Sequence, residues 1–241
     1  MYDVFDIKLV VGCNNERYNP HPIYDAFIQG RISKNFSPHK VRDTVVPANM
    51  ELIKQYNEQI GDLLTYLKDT DASQETMVIL TSDHGEYLGN HSMGEKDLLH
   101  ATSVKVLLII HYLSKNTYST RRNLCNALVR AIHVTATIVD ASSGVVPEYI
   151  VEGRTLLFYF KVHLIDQPRS FAISEYDYFK HPVCSALGIS PRDARLFMLA
   201  TIEWKLIHAE GDFPPMLFDL ANDTDELCDR GRDPAYVKKR I

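Results

Sequence analysis

The 241 residues are 45% hydrophobic and 24% charged, the balance of an ordinary globular protein, and enough chain for one large domain or a core with an appendage. A net charge of −5 leaves no basic footprint for nucleic acid. No apolar run approaches the about 20 residues that a membrane helix needs, so no membrane partner is expected either.

The chain starts acidic, Met1-Tyr2-Asp3-Val4-Phe5-Asp6, where a secretory signal would be basic, which favours the cytoplasm. Cys13, Cys125, Cys184 and Cys228 are scattered without a C-x-x-C pair, a pattern of reduced structural thiols. Residues 1–47 are punctuated by Asn14, Asn15, Pro20, Pro22, Gly30, Pro38 and Pro47 and read as irregular, with one short helix over Ile23–Ile28. From Ala48, Ile53, Tyr56, Ile60, Leu63, Leu64 and Leu67 recur at threes and fours, the apolar stripe of a helix facing a core. Pro47 stands just ahead of it, where a missing N–H costs little, and Asp69–Gln74 end it. Met77–Thr81 then reads as a buried strand. Helix, short loop and strand make half of a crossover unit, the connection of a parallel sheet.

That strand runs into Ser82-Asp83-His84-Gly85, and an open α/β sheet places its ligands where such a strand ends. Successive side chains of a strand point to opposite faces, so Asp83 and His84 serve one ligand only if the chain turns there. Gly85, free of the Cβ that forbids positive φ, makes the turn cheap. Lys96 follows at a distance that lets a loop return a cation to the same edge. A carboxylate, an imidazole and an ammonium together suit a metal ion holding an anionic, tetrahedral group. A bare Asp-His-Gly also suits a surface loop with a structural hydrogen bond.

Beyond Lys96, Val104–Ile110 reads as a strand and Arg121–Ser142 as a helix with Leu124, Leu128, Ala131, Ile132, Ala136 and Val139 inward. His133 on that helix is a packing residue, and Gly144 stops it. In the last third, Phe171–Tyr178, Arg195–Ala200, Trp204–Ala209 and Leu217–Leu220 are strands, the middle two joined by the tight turn Thr201-Ile202-Glu203. Asp223-Thr224-Asp225-Glu226-Leu227 begins a helix with an acidic first turn. The expected division is an irregular segment 1–47, a partial α/β core 48–165 with the metal-site loop, and an antiparallel subdomain 166–241.

Thr81-Ser82-Asp83-His84-Gly85-Glu86, with Leu88-Gly89-Asn90-His91 and Lys96, resembles the second metal-site segment of the sulfatase branch of the alkaline phosphatase superfamily. Ser103–Ile110 is similar to that family's S-x-R-V-P-L-I strand, with Lys105 and Leu107 in place of Arg and Pro. Val151–Leu157 looks like its D-G-R-S-L-L turn, in which Arg154 either orders neighbouring loops or is simply solvated. Trp204-Lys205-Leu206-Ile207 and Leu217–Asp223 are similar to the tail signature W/Y-K-L-I … L-Y-D-L-x-x-D-P-x-E, with Thr224 at the proline. Glu175–Tyr178 and Pro191–Met198 look most like the phosphonate monoester hydrolase and phosphodiesterase members.

The resemblance implies an α/β fold: the C-terminal half of an alkaline-phosphatase-like core plus a small antiparallel β subdomain with a closing helix. It implies one divalent metal ion (Ca, Mn, Mg and Zn are not distinguished) held by Asp83 and His84, with Lys96 on the substrate oxyanion. His91 either buttresses the loop behind them or touches substrate or metal. The implied substrate is a small-molecule sulfate or phosphate/phosphonate ester.

The family's reaction resembles in-line displacement by a metal-bound alkoxide, derived in sulfatases and phosphonate hydrolases from a cysteine in C-x-P-S-R. Cys13-Asn14-Asn15-Glu16-Arg17 has the Cys-to-Arg spacing but Asn15 at the proline, and reads as coincidence; the chain has no nucleophile motif. The expectation is therefore a C-terminal part of a sulfuric-ester-hydrolase-like enzyme, marginally stable and inactive alone. The alternative is a non-catalytic module that uses its tail sheet for binding or for assembling a homo-oligomer. A nucleotide pyrophosphatase or cofactor-independent mutase also places Asp-His at a strand end, but the hairpin-rich tail argues against both.

Overall fold

The computed structural model describes residues 19–36, 39–112, 122–145, 152–160 and 169–239. The first of these are helical rather than irregular: α1 (Pro22–Gln29) and α2 (Arg31–Phe36) precede α3 (His39–Asp69). Pro22 acts as an initiator, since it sits in the first turn where no N–H is needed, and His21 Nδ1 accepts the Ile23 N–H at 3.2 Å. Pro47 lies inside α3 rather than ahead of it. The stripe expected to face a core is open to water among the described residues, with Ile53 55% exposed and Tyr56, Leu63 and Leu64 similarly so. Amphipathicity fixes which face is apolar, not what stands against it.

The chain forms two compact units that interleave in sequence. One comprises the chain up to Leu63, His84–Val106 and Ser174 onward; the other Leu64–Asp83 and Leu107–Ile173.

The first unit is built on a four-stranded sheet in the order β3 (Ala172–Asp177, all but its first two residues in this unit), β4 (Arg195–Ala200), β5 (Trp204–Ala209) and β6 (Met216–Asp219). β4 and β5 are antiparallel, with Leu196 opposite Ala209 and Ala200 opposite Lys205; β5 and β6 are antiparallel, with Trp204 opposite Asp219. Alternation sends Leu196, Met198 and Ala200 inward from β4, and Lys205, Ile207 and Ala209 from β5. Ile23, Tyr24 and Phe27 of α1 join this core. So do Tyr87, Met93, Leu98 and Leu99, from the loop that follows the Asp-His pair. Short helices α4 (Ala101–Val104) and α6 (Pro182–Ala186) complete the unit.

The helix expected from Asp223 is a turn. Asp223 accepts the Leu227 and Cys228 N–H groups at 3.0 and 2.8 Å, and Glu226 takes a left-handed φ of 57°. An Asp side chain that bonds nearby backbone competes with the helix it would start. The closing helical element comes later, as a 3-10 turn over Pro234–Lys239.

In the second unit β1 (Val78–Thr81) pairs antiparallel with β2 (Leu108–His111), Val78 opposite His111 and Thr81 opposite Leu108. Among the described residues the pairing of β1 is therefore antiparallel and not the parallel one expected, because strand sequence specifies a face but not a partner. β2 is shorter than Val104–Ile110, since Ala101–Val104 close a helical turn first. Helix α5 spans Ile132–Ala141 rather than Arg121–Ser142; Leu124 is 96% exposed, and only His133, Ala136 and Thr137 are buried on α5. Ser143, not Gly144, takes the left-handed φ after its end.

Of the Val151–Leu157 stretch, residues 152–157 are described, and they pack on α5. The Arg154 N–H donates to His133 Nδ1 at 2.8 Å, and the Leu156 N–H to the Thr137 hydroxyl at 2.9 Å. A Cβ at Gly153 would meet the Ile132 carbonyl oxygen at 2.1 Å. His133 is thus a packing residue, and Arg154 orders this contact through its backbone while its side chain stays exposed. Cys125, Cys184 and Cys228 are free thiols; Cys13 lies outside the described residues. No helix among the described residues is long and apolar enough to cross a membrane.

Candidate functional site

β1 ends at Thr81, whose hydroxyl donates to the Leu107 carbonyl at 2.9 Å. Asp83 is exposed, with the Ser82 hydroxyl 3.3 Å from its Oδ1. His84, the first residue of the loop in the other unit, is half-buried, and its Nδ1 lies 2.8 Å from the Gly85 carbonyl oxygen. A ring nitrogen that faces a carbonyl oxygen is the donor of that bond, so Nδ1 carries the proton. Gly85 is required for a different reason from the one expected. Its φ is not positive; a Cβ there would fall 2.0 Å from the Thr102 carbonyl oxygen.

That close approach folds the loop back. The Gly85 N–H donates to the Ser103 carbonyl at 2.7 Å, and the Ser103 hydroxyl donates to the Lys96 carbonyl at 2.5 Å. Ser103, 4% exposed, therefore ties the backbone beside His84 to the backbone of Lys96. The Tyr87 N–H holds the Glu95 carbonyl at 2.8 Å. Lys96 itself is exposed, so its main chain is fastened while its ammonium stands in solvent.

His91 is 2% exposed. Its ring stacks on His100 at 4.3 Å and meets Tyr87 edge-on, and its carbonyl accepts the Tyr24 hydroxyl at 2.5 Å. It props the loop from inside. His100 Nδ1 lies 2.7 Å from the Tyr87 hydroxyl, and burial, then the neighbouring charges of His91 and Lys205, push its pKa well below the usual histidine value. Among the described residues, five of the nine non-glycine residues with positive φ lie in this loop: Leu88, His91, Ser92, Glu95 and Leu98. Such conformations cost energy and persist only when their surroundings over-determine them. The hydrogen bonds and the buried Tyr87, Met93, Leu98 and Leu99 are those surroundings.

Ser103 was legible only as the first letter of a strand motif. Lys205 and Glu226, residues of the tail signature, carried no role in the sequence. They form a buried ion pair at 2.5 Å. Lys205 Nζ also donates to the Leu99 carbonyl at 3.1 Å, and Glu226 accepts the Ala101 N–H at 2.8 Å, so the pair fastens the segment just ahead of Ser103.

Among the described residues no three His, Cys, Asp or Glu side chains gather as a metal-binding group. A carboxylate and an imidazole are donor types that a divalent ion takes, but two donors are fewer than the about six that a hard cation takes.

Residues 17–145, more than half of the chain, match the model of the sulfatase family. The chain belongs to the sulfatase family. Over 189 residues it is 28% identical to the multifunctional alkaline phosphatase superfamily protein PehA of Trinickia caryophylli, covering 77% of this chain and 36% of that protein. Over 176 residues it is 28% identical to arylsulfatase K of Gallus gallus, covering 70% of this chain and 30% of that protein. The phosphonate monoester hydrolase of Silicibacter pomeroyi shares the fold, with a TM-score of 0.87 at 21% identity over 99% of this chain and 49% of that one. This sulfatase-family chain thus spans about a third of the two relatives' length and about half of the structural neighbour's.

Proposed function

We propose that the chain serves metal-dependent hydrolysis of small sulfate, phosphate or phosphonate esters, with Asp83 and His84 as metal ligands and Lys96 as the cation for the substrate oxyanion. Membership of the sulfatase family supports the reaction class, and the names of PehA and arylsulfatase K support both phosphorus and sulfur centres. The observation that carries the reading is Ser103, which binds the backbone of both Gly85 and Lys96 and so ties the chain that bears the ammonium to the chain next to the imidazole.

Members of the family use divalent metal ions; when bound, such an ion polarises the ester oxygens as a Lewis acid. His84 is oriented by the bond from its Nδ1 to the Gly85 carbonyl. Lys96 offsets negative charge on the non-bridging oxygens. His91 supports the loop and stays away from the reacting atoms.

The 241 residues contain no C-x-P-S-R, so we expect this chain alone to bind metal weakly and turn over neither p-nitrophenyl sulfate nor a phenyl phosphonate monoester. The test is thermal unfolding with and without Mn2+, Ca2+, Mg2+ or Zn2+. At least one ion should raise the melting temperature of the wild type, and that rise should vanish in Asp83→Asn and His84→Ala. A rise of equal size in both variants would sink the assignment of the ligands.

A further inference from the structure

Lys96 is flanked in sequence by two carboxylates, Glu95 and Asp97. An ammonium that a nearby carboxylate reaches is compensated by it, and a compensated ammonium is a poor receptor for an oxyanion. Among the described residues Asp97 does not play that part, because both of its oxygens face partners elsewhere. Oδ1 accepts the Tyr176 hydroxyl. Oδ2 lies 3.9 Å from His181 Nε2.

Both partners are fixed from behind. Tyr176 projects from β3, its ring stacked against Tyr178 and tilted against Phe27. His181 stacks on Phe27 at 4.6 Å, and its Nδ1 accepts the Val183 N–H at 3.2 Å at the start of α6. That bond leaves Nε2 as the ring's donor in the neutral form, on the side of Asp97 though beyond hydrogen-bond distance. Burial, then the hydrogen bond to Asp97 and its charge, push the Tyr176 phenol up, so it keeps the proton that it donates. Glu95 takes a backbone φ of 60°, its carbonyl is held by Tyr87, and its charge acts on the Tyr176 phenol.

We propose that Tyr176 and His181 are positioning residues that draw the Asp97 carboxylate away from Lys96, leaving the Lys96 ammonium uncompensated for an oxyanion. This rests on the assignment of Lys96 to anion binding made above. It gives the strand β3 segment Glu175-Tyr176-Asp177-Tyr178 a task in the site without touching substrate. The ligand class is a tetrahedral oxyanion, and inorganic phosphate is the probe.

The experiment uses the 241-residue chain with saturating Mn2+. The rate at which a water-soluble acylating reagent modifies Lys96 is followed by peptide mass spectrometry over a series of phosphate concentrations, and the apparent phosphate Kd is read from the protection. Phosphate should protect Lys96 in the wild type. Tyr176→Phe frees Asp97 to pair with Lys96 and should weaken phosphate by about threefold, the scale of an exposed ion pair. Adding Asp97→Asn to Tyr176→Phe removes the competing charge and should restore the wild-type Kd. A Tyr176 that merely packs the core would not be rescued this way. Circular dichroism melts confirm that each variant is folded; should Tyr176→Phe not fold, His181→Gln and its combination with Asp97→Asn make the same comparison. Protection in the wild type with an unchanged Kd in Tyr176→Phe, or a weakened Kd that Asp97→Asn does not restore, overturns the positioning role alone. No protection in the wild type overturns the role of Lys96 and this inference with it.

Discussion

The Lys205 ammonium lies 2.5 Å from the Glu226 carboxylate, with the two residues 3% and 2% exposed. Lys205 points inward from β5 in the row that holds Ile207 and Ala209, a place where an unpaired charge is costly. Burial lowers the Lys205 pKa, and the charge of Glu226 and the hydrogen bond to it act against that shift. Removing one partner leaves the other charged and buried, a loss of about 3–5 kcal/mol. Glu226→Gln should therefore lower the urea midpoint strongly, whereas Lys205→Met combined with Glu226→Gln should recover much of the loss. Equal midpoints for the single variant and the wild type would contradict the pair's importance.

Acid should destabilise the protein through its buried histidines. Burial lowers the pKa of His100, His21 and His133, so the folded chain keeps these rings neutral at pH values where the unfolded chain binds protons near about 6.5. Below that value the unfolded state holds more protons, and stability rises with pH. The contribution is therefore complete above about pH 6.5 and is lost as pH falls toward the folded values. Urea midpoints measured from pH 8 to pH 5 should be flat and then fall. His100→Gln, which offers Tyr87 a partner and does not titrate, should show a shallower fall; an identical slope would remove His100 from this account.

Gly85→Ala should damage the loop and leave the rest of the fold standing. The new methyl meets the Thr102 carbonyl oxygen at 2.0 Å, a backbone atom that cannot swing aside, and overpacking of this kind costs about 1–3 kcal/mol. The Gly85–Ser103 hydrogen bond should break first. Amide exchange at position 85 should then quicken well beyond that of β4 and β5, and any Mn2+-dependent rise in melting temperature should fall with it. Unchanged exchange at position 85 would show that the approach is looser than the geometry requires.

Thr137→Val tests the second unit. The hydroxyl accepts the buried Leu156 N–H at 2.9 Å and donates to the His133 carbonyl at 2.6 Å. The replacement keeps the shape and strands the amide, which costs about 1–3 kcal/mol. Limited proteolysis should then cut near residues 152–160 faster than in the wild type, with no change in the four-stranded sheet by hydrogen exchange.

Strands β4 and β5 end at the residues that the sequence suggested, because alternation and the Thr201–Glu203 turn are local properties. The Asp-His-Gly sequence at the end of β1 and the family to which it points were legible for the same reason. The rest was hidden by its dependence on distant residues. Pro47 reads as a boundary until α3 is seen to run through it, and Asp223 reads as a helix start until its carboxylate is seen capping a turn.

The amino-acid order sufficed for the lineage, for which residues of each strand are apolar, and for the acid, imidazole and amine that mark the candidate site. It left open that β1 would pair antiparallel with β2, and that the loop bearing Lys96 would be built into the C-terminal sheet. Nor did it show that Ser103, Tyr176 and Glu226 would be the residues to fasten that loop. A side-chain pattern repeats over a few residues and carries its own period, whereas a partner is chosen by contacts between segments about 80 to 125 positions apart, such as Tyr176 with Asp97 and Glu226 with Ala101. Only the folded chain brings those together.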